Sequence, residues 1–167
     1  MSIDFRLANQ TDLPAIVAIY NSTIASRMVT ADLTPVSVES RQAWFDAHQP
    51  QRHPLWVMLE HGKIIGWLSL SAFYGRPAYD ATVEISVYLA ESVRGRGLGQ
   101  LAIDYAVAAS PALGIRTLLG FIFAHNQPSM RLFTRCGFAQ WGLLPDVAEL
   151  DGQERSLVIL GRRLQLS

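Results

Sequence analysis

A β-favouring run, Thr82–Leu89, leads within a few residues into Arg94-Gly95-Arg96-Gly97-Leu98-Gly99-Gln100, and this junction dictates much of the architecture. Helical periodicity follows over Leu98–Ala109, then a second β-favouring run at Thr117–Ala124. Strand, helix and strand in this order predict a parallel pair, because strands that point the same way need a long crossover between them. A helix from Pro128 to Cys136, ended by Gly137, repeats the rhythm. The first half reads differently. Ile3–Leu7 is a short alternating strand, and Thr11-Asp12-Leu13-Pro14 opens a helix with Leu13, Ile16, Val17, Ile19 and Tyr20 inward. Ser26–Pro35 is a loop, and Val38–His48 a second helix anchored by Trp44 and Phe45. Leu55–Glu60 and Ile64–Phe73, joined by His61-Gly62-Lys63, read as a hairpin. Thr82–Leu89 extends it, and Phe138–Leu143 and Ser156–Leu160 are final strands. The expected fold class is α/β, a mixed sheet with an antiparallel N-terminal meander and a parallel βαβ half.

No repeat, low-complexity run or linker interrupts the chain, so 1–167 reads as a single domain long enough for its own core. Half the residues are hydrophobic, and Lys+Arg 14 offset Asp+Glu 14. That balance excludes disorder and argues against nucleic acid, whose phosphates reward a basic surplus. A neutral, apolar-rich surface is best hidden in a second copy, so a homodimer is expected. The single cysteine, Cys136, forms no internal disulfide. The start, Met1–Arg6, has no leader-like pattern, and no apolar run of about 18 residues occurs. The expectation is a cytoplasmic protein with no membrane partner. His48, His53, His61 and His125 read as loop or surface residues without metal-ligand spacing, so no metal is expected.

The glycine-rich segment places flexible backbone at a helix start, where unpaired N–H groups and the helix dipole favour an anion. A Walker A loop needs Gly-Lys-Ser/Thr where this chain has Gly99-Gln100-Leu101. Gly97-Leu98-Gly99-Gln100-Leu101-Ala102 fits the dinucleotide fingerprint, yet no acidic residue lies between Asp104 and Asp146 to take the ribose hydroxyls. A helix-capping turn without ligand is the plain alternative.

Arg94-x-x-Gly97-x-Gly99 after the strand end Val87-Tyr88-Leu89 resembles the signature loop of the GCN5-related N-acetyltransferase (GNAT) family. The segment Asn126-Gln127-Pro128-Ser129 through Leu132-Phe133 to Gly137-Phe138 resembles that family's second block. Tyr20-Asn21-Ser22, Trp44-Phe45 and Tyr79 to Glu84 are similar to the phosphinothricin and methionine sulfoximine acetyltransferase branch. The resemblance implies the GNAT-type fold, acetyl-CoA as cofactor and a small amino-acid-like amine as acceptor. It implies a cofactor site of Val87, Tyr88, Leu89, Arg94, Gly95, Arg96, Gly97, Leu98, Gly99 and Gln100, with Asn126 and Ser129, and the Val87 N–H as donor to a developing oxyanion. Ser129 reads equally well as a simple helix cap, and Arg135 as a solvated helix-face residue. Two departures stand out. Phe133 occupies a position where many members carry a tyrosine that protonates the leaving thiolate, with Tyr88 and Tyr105 as substitutes or none needed. Leu150–Arg155 lacks the histidines that some relatives carry.

Glu84 is the one carboxylate inside Thr82–Leu89, and the two-residue strand period sends it to the face of Ser86 and Tyr88. Burial there raises a carboxyl pKa toward that of a useful base, so Glu84 is the candidate that deprotonates the amine. The expected acceptor pocket uses Phe73, Tyr74, Arg76 and Tyr79 upstream, with Arg76 forking onto a carboxylate or phosphinate, and Thr30, Arg27 and Met28 opposite. Two other readings stay open: acetylation of peptide N-termini, and an acyl-CoA-binding module without turnover.

Overall fold

The computed structural model describes residues 2–165. Met1, Leu166 and Ser167, the ends of the expected 1–167 domain, lie outside the described residues. The strands are β1 (Ile3–Leu7), β2 (Leu55–Glu60), β3 (Lys63–Ala72), β4 (Thr82–Leu89), β5 (Thr117–Phe123), β6 (Ala139–Leu150) and β7 (Gln153–Arg163). They form one seven-stranded sheet in the order β1-β2-β3-β4-β5-β7-β6. The β4–β5 pair is parallel and each other described pair is antiparallel, as the strand–helix–strand order requires.

Helices cover both faces. α1 (Leu13–Ser22) and α2 (Gln42–Asp46) pack on one side, where Ile16, Ile19, Tyr20 and Trp67 form a cluster with Trp44 and Phe45 against it. The Trp67 indole N–H donates to the Ile16 carbonyl at 3.1 Å, so even this buried ring has its polar atom satisfied. α3 (Leu98–Ala109) and α4 (Gln127–Arg135) pack on the other side over Leu68, Ile85, Ile103, Leu118 and Phe133. Cys136 is buried there, a packing residue as its place at a helix end implies.

Several boundaries differ from expectation. A 3-10 turn at Gln10–Asp12 leads into α1, and its cap is Asn9, whose side chain accepts from the Thr11 N–H while Asp12 accepts from the Asn9 N–H at 2.8 Å. Arg6 fixes this reciprocal cap by pairing with Asp12 at 2.7 Å, which holds the Asp12 carboxyl below the usual carboxylate range. Val38–His48 contains only a 3-10 turn at Glu39–Arg41 and the short α2, because the His48 ring donates to the Trp44 carbonyl and ends the helix. His48 lies in the loop after α2, half-buried against Trp44, and this burial lowers its pKa. The largest difference is the β6–β7 hairpin, far longer than Phe138–Leu143 and Ser156–Leu160. Register shifts near Gln140 and Leu144–Ala148 absorb Pro145 and Asp146, and the strands turn at Asp151 (φ 53) and Gly152 (φ 80). Asp-Gly with both residues in the left-handed region is a tight hairpin turn.

Candidate functional site

β4 and β5 pair over three positions only, Thr82–Thr117, Val83–Leu118 and Glu84–Leu119. Beyond Glu84 each strand continues with its outer neighbour, β4 with β3 as far as Leu89 and β5 with β7 as far as Phe123. The sheet therefore splits into a V. The Ala90 N–H bonds to the Ile65 carbonyl, continuing the β3–β4 register, so Ser86 and Tyr88 turn their backbone groups to β3. By alternation Val87 and Leu89 turn theirs into the split, where β5 offers no partner. An extended amide-bearing chain fits this edge as an added strand.

Two openings meet at the split. A groove of ≈ 500 Å³ is lined by Val87, Tyr88 and Leu89, by Arg94, Gly95, Gly97, Leu98, Gly99 and Gln100, and by Asn126 and Ser129. Gly95 and Gly97 both have φ +78, a conformation that L side chains rarely adopt, and a Cβ on either would meet nothing within 4 Å. Gly97 precedes α3 without a side-chain cap, and the first intrahelical bond there is from the Leu101 N–H to its carbonyl. The N–H groups of Leu98, Gly99 and Gln100 are thus the orphan donors of the helix start. Bare backbone, orphan donors and the Arg94 guanidinium fit a pyrophosphate, and the unpaired β4 edge fits the amide arm of coenzyme A.

Arg96 is a correction to the expected cradle. It does not line the groove, because its guanidinium forks onto Glu60 at the end of β2, with one bond of 3.0 Å. Arg135, read as a solvated helix-face residue that could also reach a cofactor phosphate, lines the groove wall. The helical spacing of Pro128, Leu132 and Arg135 puts them on one face of α4, a signal the sequence already held.

The second opening, a cavity of ≈ 420 Å³, lies on the Glu84 side. Met28, Val29, Val87, Tyr88, Asn126, Ser129 and Phe133 line both openings, so the two form one passage at the β4 split. Glu84 is largely buried in the cavity wall, and this desolvation pushes its carboxyl above the usual carboxylate range. Among the described residues it has no hydrogen-bond or ion-pair partner that would hold it ionised. Tyr88 stacks on Trp67 at 4.5 Å and lies 5.2 Å from Tyr20. Burial pushes its phenol well above the usual range. Tyr105 stacks on Phe5 at 4.1 Å, away from both openings, and is removed as a substitute. Phe133 is 5% exposed, its ring against the bare backbone of Gly120.

Thr30 and Met28 line the cavity, and Arg27, grouped with them, does not. Phe73, Tyr74, Arg76 and Tyr79 do not. Phe73 stacks on Tyr74 at 4.3 Å and meets Tyr79 edge-on at 5.5 Å, and its ring lies 6.4 Å from that of Phe121, which lines the cavity. Arg76 stands exposed on the same turn. Missed by sequence reasoning were Val147, Ala148 and Leu157 of the β6–β7 hairpin, which close the cavity's far wall. Among the described residues no group of three or more His, Cys, Asp or Glu could hold a metal, and no helix is long and apolar enough to cross a membrane.

Residues 17–138 match the Acetyltransferase (GNAT) family model. A Bacillus subtilis (strain 168) protein provisionally named phosphinothricin acetyltransferase YwnH is 54% identical over 160 residues, 95% of this chain and 98% of the relative. An L-methionine sulfoximine/L-methionine sulfone acetyltransferase of Pseudomonas paraeruginosa is 33% identical, with 96% of this chain and 94% of the relative covered. The solved phosphinothricin acetyltransferase of Sinorhizobium meliloti, in complex with acetyl-CoA, superposes with a TM-score of 0.91 at 30% identity, covering 98% of this chain and 89% of that one.

Proposed function

This chain belongs to the GNAT acetyltransferase family, and we propose that it acetylates the amine of a small amino-acid-like acceptor of the phosphinothricin, methionine sulfoximine or methionine sulfone class. The observation that carries this reading is the passage from the glycine-loop groove to the Glu84 cavity, which meets at Val87. Acetyl-CoA supplies an activated acetyl thioester along the groove. Glu84 takes one proton from the acceptor's ammonium, the freed lone pair forms the bond to the acetyl carbon while the carbon–sulfur bond breaks with its electron pair on sulfur, and the second proton lost by the nitrogen passes to solvent. The Val87 N–H faces the split and donates to the carbonyl oxygen as it gains charge. The thiolate, with a thiol pKa near 8.5, is a tolerable leaving group and departs as an anion.

The cavity volume of ≈ 420 Å³ favours a small acceptor over an extended peptide. A thiol-release assay with acetyl-CoA tests this against free amino acids, their sulfone and sulfoximine analogues, and short peptides. Turnover confined to the small amines supports the reading. Preference for peptides replaces it with N-terminal acetylation, and acetyl-CoA binding with no product from any amine replaces it with a binding module.

Arg76 sits outside the cavity on an exposed turn, so its help to an acceptor's carboxylate is weakened by water and salt. Arg76→Ala is expected to raise the acceptor KM about threefold and leave that of acetyl-CoA unchanged. Equal rises in both KM values would remove Arg76 from the acceptor's path.

A homodimer completes the reading. β6 is an edge strand whose Trp141, Leu143, Leu144 and Val147 are 49%, 52%, 41% and 58% exposed, an apolar row that a second copy would cover. Sedimentation is expected to give twice the 18.5 kDa chain mass, and Leu143→Arg a single chain. The single, unpaired Cys136 is in keeping with a cytoplasmic setting.

A further inference from the structure

Thr30 and Ala31 line the Glu84 cavity but not the glycine-loop groove, so this stretch of wall belongs to the acceptor side alone. Thr30 is 8% exposed, and its hydroxyl is tied into a chain whose direction can be read. The Tyr20 hydroxyl donates its one proton to the Asp32 carboxylate. Burial and the Asp32 charge both keep that phenol protonated. Tyr20 therefore meets the Thr30 hydroxyl, 2.6 Å away, with a lone pair, and the proton in that contact comes from Thr30. The Thr30 oxygen also accepts from the Asp32 N–H at 3.2 Å. A hydroxyl has one proton and two lone pairs, so one lone pair is left. The Thr30 side chain can accept a hydrogen bond from a molecule in the cavity and cannot donate one.

The Tyr20 ring is itself fixed, 5.2 Å from the Tyr88 ring and 5.1 Å from the Arg41 guanidinium, so its hydroxyl is held in place. An amine suits a wall that only accepts. The ammonium of an amino-acid-like acceptor gives one proton to Glu84 and still has N–H to donate while its lone pair turns to the acetyl carbon. An alcohol has a single proton, which the base takes, and nothing left to donate. We propose that Thr30 Oγ1 accepts a hydrogen bond from the acceptor's nitrogen, and that Tyr20 and Asp32 are positioning residues that keep this hydroxyl an acceptor, so that it selects amines over alcohols. The inference rests on reading the Glu84 cavity as the acceptor site. It gives the nitrogen two partners on different elements, Glu84 on β4 and Thr30 in the loop after α1.

Thr30→Val, Tyr20→Phe and their combination test it. The acceptor is L-methionine sulfone, or the amine of the panel above that turns over fastest, and the same molecule stripped of its amine serves as a competitive inhibitor. Thr30→Val is expected to raise the acceptor KM on the order of tenfold and leave the inhibitor's Ki unchanged, since the inhibitor has no N–H to lose. Tyr20→Phe frees the Thr30 proton to turn towards the ammonium, and is expected to raise that KM about fivefold. The double variant should match Thr30→Val alone, because Tyr20 acts through Thr30. Thr30→Ser should stay within about threefold of the wild-type KM, and the acetyl-CoA Kd by calorimetry within about twofold throughout. An unchanged acceptor KM, a KM and Ki that rise together, multiplied effects in the double variant or a matching loss of acetyl-CoA affinity would each overturn the proposal. If Thr30→Val does not fold, Tyr20→Phe decides alone: a raised KM at unchanged Ki supports the proposal, and any other result overturns it. A wild type that acetylates no amine ends the acetyltransferase reading and this inference with it, whereas turnover with an unchanged KM in the variants ends this inference only.

Discussion

Glu84→Gln is expected to lower kcat by about a hundredfold to ten-thousandfold, the range lost when a positioned general base is removed, with little change in acetyl-CoA affinity. The argument joins three facts. Glu84 lines the cavity, it is beside the stretch where β4 parts from β5, and burial raises its pKa. A raised pKa makes the carboxylate a stronger base but leaves it protonated over a wider acid range. In the wild type, kcat should fall as pH drops through this raised value, and the glutamine variant should lose that limb. Stability moves the other way. A carboxyl whose folded pKa lies above its unfolded one costs the fold stability once pH exceeds the folded value, and the cost disappears as pH falls below the unfolded value. Glutamine carries no such cost, so Tm near neutral pH should stay level or rise while activity collapses. A variant with the wild-type pH–rate profile would rule out Glu84 as the base.

Gly97→Ala is expected to weaken acetyl-CoA binding on the order of tenfold to a hundredfold, about 1.4–2.8 kcal/mol. At φ +78 an alanine is strained by about 1–2 kcal/mol. Its methyl group would also enter the groove beside the orphan N–H groups of Leu98, Gly99 and Gln100, where a phosphate must come close. Gly114→Ala is the control. Gly114 has φ +77, and a Cβ there also meets nothing within 4 Å, but it lines neither opening. Both variants should lose similar stability, and only Gly97→Ala should lose acetyl-CoA affinity. Equal, small changes in affinity would show that the loop carries no phosphate.

Much of this site was legible residue by residue. Local chemistry fixed the glycine loop, since positive-φ glycines before a helix depend on the few residues around them, and alternation along β4 put Glu84 and Tyr88 on one face. The β6–β7 turn was legible too, in Asp151-Gly152, but Pro145 and Asp146 masked the length of the strands leading to it. The arginines divided on tertiary grounds. Arg96 looks as suited to phosphate as Arg94, yet Glu60, distant in sequence, takes it. Arg76 was expected at the acceptor because its neighbours are aromatic, and those rings pack on one another instead.

By itself the sequence determined the order of elements, the parallel pair, the glycine-rich turn before α3 and the buried carboxylate, because each depends on periodicity or on bonds within a few residues. Only the tertiary structure decided that β4 and β5 separate after Glu84, that two openings become one passage at Val87, and that Asn126 reaches back to Met28. Those outcomes depend on which strand stops pairing where and on contacts between residues about a hundred positions apart, which the packing of the whole sheet sets and no local pattern encodes.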